Sequence, residues 1–565
     1  MKRLTLLVAG VLAFATSVSA QQVIGKGQIS GSFESSSIYY TPDPQIYVGE
    51  SKRPEDSFGS NNYLKVDYTN GRFSAGVQMN AFLPALVGYD ALANGYKFYL
   101  ASKYVQWRDK NYEILVGDIF DQYGNGLIFR SFEDRQLGIN NSVEGVRAAY
   151  SFGRYVTLKA MYGRSRLYTD YSKTWVRGAD LSISIADIAK ISDKVTFNIE
   201  GSYVNRYQGL SQIDDSWLDI KFGTEYEEDR DGDGVLETYG TSCKDYYGLK
   251  PNLNMYSARL NFGWNGLTFN GEYVGKGKDV IDGENRYQKG WAGLGQVGYS
   301  YKTFSVMGSV RALKNMGTMI NAFVPNGNDN PINYCGGNTI NYIPALTRQY
   351  TYMLANINPY AVNANNELGG QIDVCYSYRS KSNRYRYWNF HANFSTFYSL
   401  DVVKQLGKRQ LYWRDINVDV ERQWDKKWKS LLLYSYQDNM EHKAHIFVGD
   451  VTHKFNRKMS LRFELQYLLS GDKRSSWDGQ KSYGDWVAAL VEFSLAPHWS
   501  FYVQDMYNLG MTKMHYYNGG FSYTHNRTRV QLSYGRNRAG YVCSGGVCRY
   551  SPAYTGVNLV LTSSF

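Results

Sequence analysis

The sequence predicts an all-β protein, a transmembrane antiparallel up-and-down β-barrel of about 24 strands, within a range of roughly 22 to 26. Three observations lead to this prediction. Apolar and polar residues alternate over long segments, tight turns and long polar connections follow one another along the chain, and the composition is polar on average yet rich in tyrosine and glycine. A barrel wall requires all three features, because each strand has one face toward lipid and one toward the lumen.

Alternation is clear in segment 143–166, which predicts two strands joined by a tight turn. On its second strand, Val156 and Leu158 flank Thr157. The same pattern recurs along the chain, and some of its polar positions are charged. Such charges are expected to point into the lumen, because facing hydrocarbon would be costly. The clearest examples are Asp419, Glu421, Arg462 and Glu464.

The connections between the predicted strands alternate in length. Short turns are predicted at Asn70-Gly71, 108–111, 152–154, 191–194, Asn265-Gly266, 301–303, 381–384, 425–427, 456–458, 496–498 and Asn526-Arg527. Longer polar connections are predicted at 41–60, 83–95, 120–141, 208–254, 278–289, 317–365, 471–483 and 539–552. Tight turns at one edge and extended loops at the other are typical of outer-membrane barrels.

The composition supports the same fold class. The chain has 51 Tyr, 55 Gly and only 11 Pro, and its mean hydropathy is −0.45. Tyrosine suits a membrane–water boundary, and glycine suits tight turns. The formal net charge of +11 is spread along the chain without a basic block, so nucleic-acid binding is not expected.

The N-terminal segment predicts export. Residues 1–20 read as a signal peptide, with Lys2 and Arg3 before an apolar run and small residues up to Ala20. Gln21 follows the expected cleavage, in place of the Cys of a lipoprotein. No later run of about 18 apolar residues predicts a transmembrane helix. Residues 21–565 are therefore predicted to form a single barrel surrounded by outer-membrane lipid.

The last predicted strand, residues 554–565, carries a second signal. It places Val557, Leu559 and Leu561 on one face and ends on Phe565. This ending resembles the C-terminal signal by which outer-membrane barrels are recognised, although Ser563 stands where a bulky residue is more usual. The resemblance implies the outer-membrane insertion machinery as a partner, recognising Phe565.

Four segments carry a wider resemblance that covers nearly the whole exported chain: 25–40, 58–68, 117–147 and 540–561. They resemble an uncharacterised family of Bacteroidetes outer-membrane β-barrels, known chiefly as a domain of unknown function. The resemblance implies a fold and a location in the cell outer membrane, and it brings no established activity.

Long loops of a barrel this wide are expected to enter the lumen, because wall side chains alone cannot fill it. The candidates are segments 118–141 and 317–365, and within the second a short amphipathic helix is predicted at 342–360. Arg130 and Arg135 are expected to find carboxylates there. A solvated surface loop is the alternative for the first segment. Its predicted lumen-constricting residues are Asp118, Asp121, Arg130, Glu133, Asp134 and Arg135.

The loop 208–254 contains a partial calcium-type motif. Carboxylates occupy positions 1, 3, 5 and 9 of a twelve-residue loop, and Gly234 occupies the turn position 6, but position 12 is Gly240. A calcium ion that rigidifies this loop and a solvated acidic turn both remain open, and calcium is the only cofactor indicated. The candidate ligands are Asp229, Asp231, Asp233 and Glu237.

The five cysteines enter an oxidising compartment, where pairing is the default. Cys543 and Cys548 enclose two glycines and are predicted to form a disulfide. Cys375, on a predicted strand, is favoured as a free thiol over Cys243 and Cys335 in loops, and the pairing of these three stays open.

Local motifs do not favour an enzyme. The Gly-rich pattern at 293–298 lies inside a strand and lacks the helix that dinucleotide binding requires, and neither a His-Glu-x-x-His nor a Gly-x-Ser-x-Gly motif occurs. Two functions remain. The first is a pore or transport protein for polar solutes with lumen-folded loops. The alternative is a surface binding or assembly protein that presents Tyr-rich loops to a protein partner over a plugged lumen.

Overall fold

The computed structural model describes residues 23–24, 26–48, 53–89, 92, 95–209, 226–228, 237–239, 250–281, 287–321, 339–383, 385–440, 442–470, 484–510, 512–545 and 547–565. These residues form a closed antiparallel barrel of 24 strands, as the sequence predicts. The strands are β1 (Gly27–Tyr40), β2 (Phe58–Asn70), β3 (Phe73–Phe82), β4 (Lys97–Arg108), β5 (Tyr112–Ile119), β6 (Val143–Phe152), β7 (Val156–Leu167), β8 (Asp170–Ser184), β9 (Val195–Tyr207), β10 (Asn252–Trp264), β11 (Leu267–Val280), β12 (Tyr287–Tyr301), β13 (Phe304–Lys314), β14 (Asn366–Arg379), β15 (Tyr387–Tyr398), β16 (Leu411–Gln423), β17 (Trp428–Asn439), β18 (Lys443–Lys454), β19 (Met459–Ser470), β20 (Trp486–Leu495), β21 (Trp499–Asn508), β22 (Asn518–His525), β23 (Thr528–Asn537) and β24 (Tyr554–Ser564).

The barrel closes between its first and last strands. Each strand pairs with the next along the chain, and β24 pairs with β1 from Ser32↔Ser564 to Tyr40↔Gly556. Phe565 completes the seam, because its backbone N–H and C=O both bond to Gly31 at 3.0 Å. Closure leaves the sheet without an unpaired edge, as a wall within lipid requires.

The two rims of the barrel differ as predicted. Every predicted tight turn joins two consecutive strands at one rim, where both β1 begins and β24 ends. The connection of β7 to β8 is an exception at the opposite rim, since it contains only Tyr168 and Thr169, and Tyr168 adopts a φ of 57°. One short helix, α1 (Ile185–Ile188), lies at the tight-turn rim, capped by the Ser184 side chain. Among the described residues, no helix combines the length and the apolar character needed to cross a membrane.

The two faces of the wall are opposite in character to those of a water-soluble sheet. Side chains on the outer face are apolar and exposed, and the neighbours that alternate with them point inward and are buried. Exposed outer residues include Val77, Met79, Ile416, Val418, Phe463 and Leu465, and buried inner residues include Gln78, Asn80, Asp415, Asn417, Glu464 and Gln466. An apolar outer band with a polar interior is the arrangement of a barrel in lipid.

Candidate functional site in the barrel lumen

Residues 120–142, between β5 and β6, fold into the barrel. They form two small hairpins, in which Gln122–Tyr123 pairs with Phe129–Arg130 and Glu133–Asp134 pairs with Ile139–Asn140. Leu127 and Ile128, in the turn of the first hairpin, and Phe129, at the start of its second strand, are fully buried. They belong to one hydrophobic cluster with inward-facing wall residues, including Val204, Met255 and Val274. The segment therefore packs inside the lumen.

A second loop, between β13 and β14, is hydrogen-bonded to this segment inside the lumen. The Arg130 N–H donates to the Ile340 carbonyl and the Tyr342 N–H to the Gly126 carbonyl, both at 2.9 Å. The side-chain amide of Asn341, which is buried, donates to the carbonyls of Leu127 at 3.1 Å and Met316 at 2.8 Å. The two loops therefore form one unit, and we call residues 120–142, 315–321 and 339–365 the plug.

A hairpin from the last long loop closes over the plug. Gly540–Ser544 pairs with Val547–Ser551, and a disulfide joins Cys543 to Cys548 within it. The Tyr342 hydroxyl donates to the Gly545 carbonyl at the turn of this hairpin. Arg549 donates to the carbonyls of Gly88 at 2.8 Å and Gln136 at 3.2 Å, so that the hairpin also contacts the 83–96 loop.

The plug bonds to the wall on opposite sides of the barrel. The backbone and side-chain amides of Asn125 donate to Glu272 on β11 at 2.9 and 2.7 Å. On the far side, Arg135 donates to Glu34 on β1 at 2.9 Å. Further round, the Leu354 N–H donates to the side chain of Gln466 on β19 at 2.9 Å. Since β1 and β11 lie nearly half the strand order apart, the plug spans the lumen.

Apolar residues also hold the plug against strands β17 to β21, a contact that the sequence analysis did not predict. Leu354 and Ile357 pack against inward-facing apolar side chains of β17 to β21, and 354–356 forms a single 3-10 turn where an amphipathic helix was predicted. The sequence does carry a sign of this contact. Residues 431–433 of β17 are three consecutive leucines, so the lumen face of this strand is apolar as well as the lipid face. The wall residues are Leu433, Ala444, Ile446, Val448, Leu468, Trp486, Ala488 and Met506.

Four of the six predicted constriction residues meet at one cavity. It has a volume of about 490 Å³ and lies between the plug and strands β2 to β4. The wall contributes Lys65, Gln78, Ser102 and Tyr104. The predicted residues that line it are Asp121, Arg130, Glu133 and Arg135.

Arg135 and Arg130 are held in different ways. Arg135 pairs with Glu34 and lies 3.5 Å from Glu133, so it has the carboxylate partners expected for it in the lumen. Arg130 departs from the expected carboxylate pairing, since its guanidinium lies over the rings of Phe132 and Tyr342, at 4.3 and 4.0 Å from their centroids. Two flanking rings attract a guanidinium through their π faces and shield it from water.

The other acidic residues of the segment lie elsewhere or act as anchors. Asp121 accepts from Arg147 on β6 at 2.6 Å and so ties the cavity to the wall. Asp118 does not line the cavity: it is buried at the end of β5, where Ser142 and Tyr171 donate to it at 3.0 and 2.8 Å. Asp134 accepts from the Leu137 N–H at 3.0 Å and fixes a turn.

The wall charges predicted to point inward do so in pairs. Lys429 bonds to Glu421 at 2.6 Å, and Arg462 bonds to Asp450 and Glu464 at 2.8 and 2.5 Å. A larger group of this kind surrounds Arg259, which bonds to Asp180 at 2.5 Å and Glu200 at 2.8 Å. Mutual pairing keeps the interior polar without leaving isolated charges.

Asp419 belongs to a cluster that no local motif indicates. His391 on β15 lies between Asp373 on β14 and Asp419 on β16, with ring nitrogens 2.8 and 2.7 Å from the two carboxylates. Cys375, on β14, is a free thiol in the described part of the chain and lies 3.6 Å from Asp373. The residues come from three strands, so only the strand register could have brought them together.

The remaining predicted sites fall largely outside the described residues. These are Asp229, Asp231 and Asp233 of the calcium-type motif, and Cys243 and Cys335. Glu237 begins the strand Glu237–Tyr239, which pairs with Tyr226–Glu228. Calcium binding therefore stays a prediction, as does the pairing of these two cysteines.

Several solved structures are similar to this chain in fold. The P pilus usher PapC translocation pore matches with 10% identity and a TM-score of 0.44, over 95% of this chain and 99% of the usher chain. The siderophore receptor PirA of Pseudomonas aeruginosa matches with 8% identity and a TM-score of 0.42, over 95% and 80% of the two chains. OpdQ of the same organism matches with 7% identity and a TM-score of 0.32, over 95% and 96%. These are similarities of fold and assign no activity.

Comparison of the amino-acid sequence with known families places the chain in one of them. No curated protein matches the chain. One family model does, and it spans residues 1–565. The chain therefore belongs to DUF6029, a family of unknown function.

Proposed function

We propose that this protein is an outer-membrane transport barrel for polar solutes, in which the plug restricts passage. The observation that carries the proposal is the polar cavity of about 490 Å³ between the plug and strands β2 to β4. Its walls carry both signs of charge, from Lys65, Arg130 and Arg135 on one hand and from Asp121 and Glu133 on the other. Such a lining suits a hydrated polar solute and disfavours an apolar one.

The way in which the plug is attached to the wall suggests that one side of it can open. The plug is part of the same chain as the wall, and on the cavity side it is held by a few polar contacts, chiefly Arg135 with Glu34 and Asp121 with Arg147. On the other side, Leu354 and Ile357 bury apolar surface against β17 to β21. The Arg135–Glu34 pair is partly exposed to water. Such contacts open more readily than a packed apolar interface, so the cavity side is the one we expect to open.

We propose that the barrel lies in the outer membrane. The exposed apolar outer face requires lipid, and a barrel whose first strand begins and last strand ends at its tight-turn rim matches the orientation of outer-membrane barrels. The resemblance to Bacteroidetes barrels implies the same membrane.

Solute flux tests the proposal. Purified protein is placed in liposomes, and swelling is measured with polar solutes of increasing size. We expect the wild type to admit small polar solutes and Arg135→Ala to admit them faster, because the plug loses its bond to β1. Arg154→Ala is the control, since Arg154 pairs with Asp187 at the tight-turn rim and is 64% exposed. Liposomes that remain impermeable with both the wild type and Arg135→Ala would favour the surface-binding alternative instead.

A further inference from the structure

The cluster of Asp373, Cys375 and His391 has the donor set of a transition-metal site. One ligand atom from each residue can be chosen so that all three lie within 4.8 Å of one another. Cys375 and His391 are directly opposite each other in the pairing of β14 with β15, and Asp373 lies two residues before Cys375 on the same face. Thiolate, imidazole and carboxylate are the three protein ligands of tetrahedral zinc.

The distances suit a shared ion. With metal–ligand bonds near those of zinc, the ligand atoms of a tetrahedral site lie about 3.3 to 3.8 Å apart. The Cys375 sulfur lies 3.6 Å from Asp373 Oδ1, and His391 Nε2 lies 2.8 Å from Asp373 Oδ2. These two distances are to different oxygens of Asp373, and the cysteine sulfur and the histidine ring nitrogen lie within 4.8 Å of each other. Binding one ion therefore requires a rotation of the Asp373 carboxylate and a closing movement of the Cys375 and His391 side chains.

The surroundings of His391 are those of a metal-bound histidine. Its second ring nitrogen, Nδ1, bonds to Asp419 Oδ2 at 2.7 Å, and Asp419 is the residue opposite His391 on β16. A carboxylate on one nitrogen fixes the ring orientation and the tautomer, leaving the other nitrogen for a metal. Asn393 donates to Asp373 at 2.9 Å and Tyr350 donates to Asp419 at 3.0 Å, so the outer groups are also held.

The site is open on the lumen side. Cys375 is half-buried, and 19% of the Asp373 side chain is exposed. Three protein ligands with access for a fourth, exogenous ligand distinguish sites that exchange or act on their ligands from closed structural sites. Tyr350 belongs to the plug, so the outer shell of this site reaches the element that fills the lumen.

We propose that Asp373, Cys375 and His391 bind a zinc-like divalent transition-metal ion inside the barrel, with Asp419 as a positioning residue behind His391. Calcium and magnesium are disfavoured, because they take oxygen ligands and avoid thiolates. Metal binding at this site does not depend on transport and would occur equally in a silent barrel.

Cobalt is a suitable probe, since a thiolate bound to Co²⁺ has a charge-transfer band that free Co²⁺ lacks. The experiment uses the full-length barrel in detergent with Cys243→Ser and Cys335→Ser, which leaves Cys375 as its one unpaired thiol. We expect one equivalent of Co²⁺, the thiolate band, displacement by Zn²⁺, and protection of Cys375 from maleimide. His391→Gln should weaken binding by at least about tenfold, and Asp419→Asn by about 10- to 100-fold without removing the band.

The control variant is Asp505→Asn, which alters a second histidine–carboxylate pair, with His515, that lacks a thiol. Its metal binding should equal that of the parent. Absence of the thiolate band in the parent protein at micromolar Co²⁺ would overturn the proposal. Equal Co²⁺ affinity in the parent and in His391→Gln would overturn it too, because the thiol alone would then account for binding. Heat-modifiability on gels checks that each variant retains the barrel.

Discussion

Arg135 bonds the plug to the wall beside the cavity. Its side chain is 23% exposed and lies between Glu34 and Glu133, over the ring of Tyr63. Replacing it with alanine removes the cation that Glu34 and Glu133 share. We expect a loss of about 1 to 3 kcal/mol of plug attachment, more than the roughly 1 kcal/mol or less of a fully exposed pair.

Limited proteolysis measures that loss. Arg135→Ala should raise the cleavage rate within 120–142 by about tenfold or more, since each 1.4 kcal/mol is a factor of ten in the open population. Arg130→Ala should also raise this cleavage rate, because it removes the contacts of the guanidinium with two aromatic rings. If both variants are cleaved as slowly as Arg154→Ala, the two arginines do not hold the segment.

Asp43 gives the first long loop a pH-dependent anchor. It accepts from Arg536 at 2.7 Å and from Thr555 at 2.6 Å. Burial alone would raise the pKa of the Asp43 carboxyl, but the hydrogen bonds from Arg536 and Thr555 outweigh it and hold this pKa below its ordinary value. A depressed carboxyl pKa contributes stability above the unfolded value of about 3.9, and this contribution is lost as the pH falls through the folded value.

Residues 41–48 should therefore stay attached at neutral pH and detach only in acid, below about pH 4. A spin label at Val48, which is 64% exposed, reports the change through its mobility. Asp43→Asn should give a mobile label at every pH. A label that is equally ordered in Asp43→Asn and in the parent at pH 7 would show that the carboxylate does not anchor the loop.

Within the plug, Asn341 joins the two inward loops. Its amide donates to Leu127 and Met316, and its oxygen accepts from the Thr318 N–H at 3.2 Å. Asn341→Ala leaves these groups buried without that partner, at about 1 to 3 kcal/mol for each unsatisfied group. Both loops should then exchange amide hydrogens faster together. Asn456→Ala, which removes bonds at a tight turn, is the control, and an increase in only one loop would contradict a single unit.

The sequence predicts the strands of the wall and their faces far better than the contacts within the plug. A strand has a period of two, so alternation identifies the lumen face of residues such as Gln78 and Glu464 directly. Contacts such as the Asn141 amide with the Thr339 carbonyl, at 2.9 Å, join loops 198 residues apart and leave no periodic trace. The sequence predicts that both loops enter the lumen, but not which residues pair there.

The charged segment illustrates the same limit. Composition alone groups Asp118 with Asp121, although Asp118 belongs to the end of β5 and Asp121 to the cavity. The difference comes from the position at which the strand ends, which is the least certain feature of a sequence-based assignment. The stacking of Arg130 is missed for a related reason, because Tyr342 comes from the other loop.

For the whole molecule, the exposed apolar face predicts a strong asymmetry between neighbouring positions. Val503 on β21 is 67% exposed on the outer face, whereas Gln504 points inward. Val503→Arg should destabilise the barrel in bilayers by about 2 to 4 kcal/mol if it lies near the midplane, and Gln504→Arg by much less. Urea titration in lipid vesicles, followed by heat-modifiability, measures both. Equal losses would mean that the outer face does not contact hydrocarbon.

The plug is proposed to restrict an otherwise passable lumen, and single-channel conductance in planar bilayers tests this most directly. Deleting Gly124 to Asp134 removes the tip of the first inward loop, including the bonds of Asn125 to Glu272. The deletion variant should run as a heat-modifiable barrel and show a steady conductance clearly larger than that of the wild type. A heat-modifiable deletion variant whose conductance equals that of the wild type would contradict the claim.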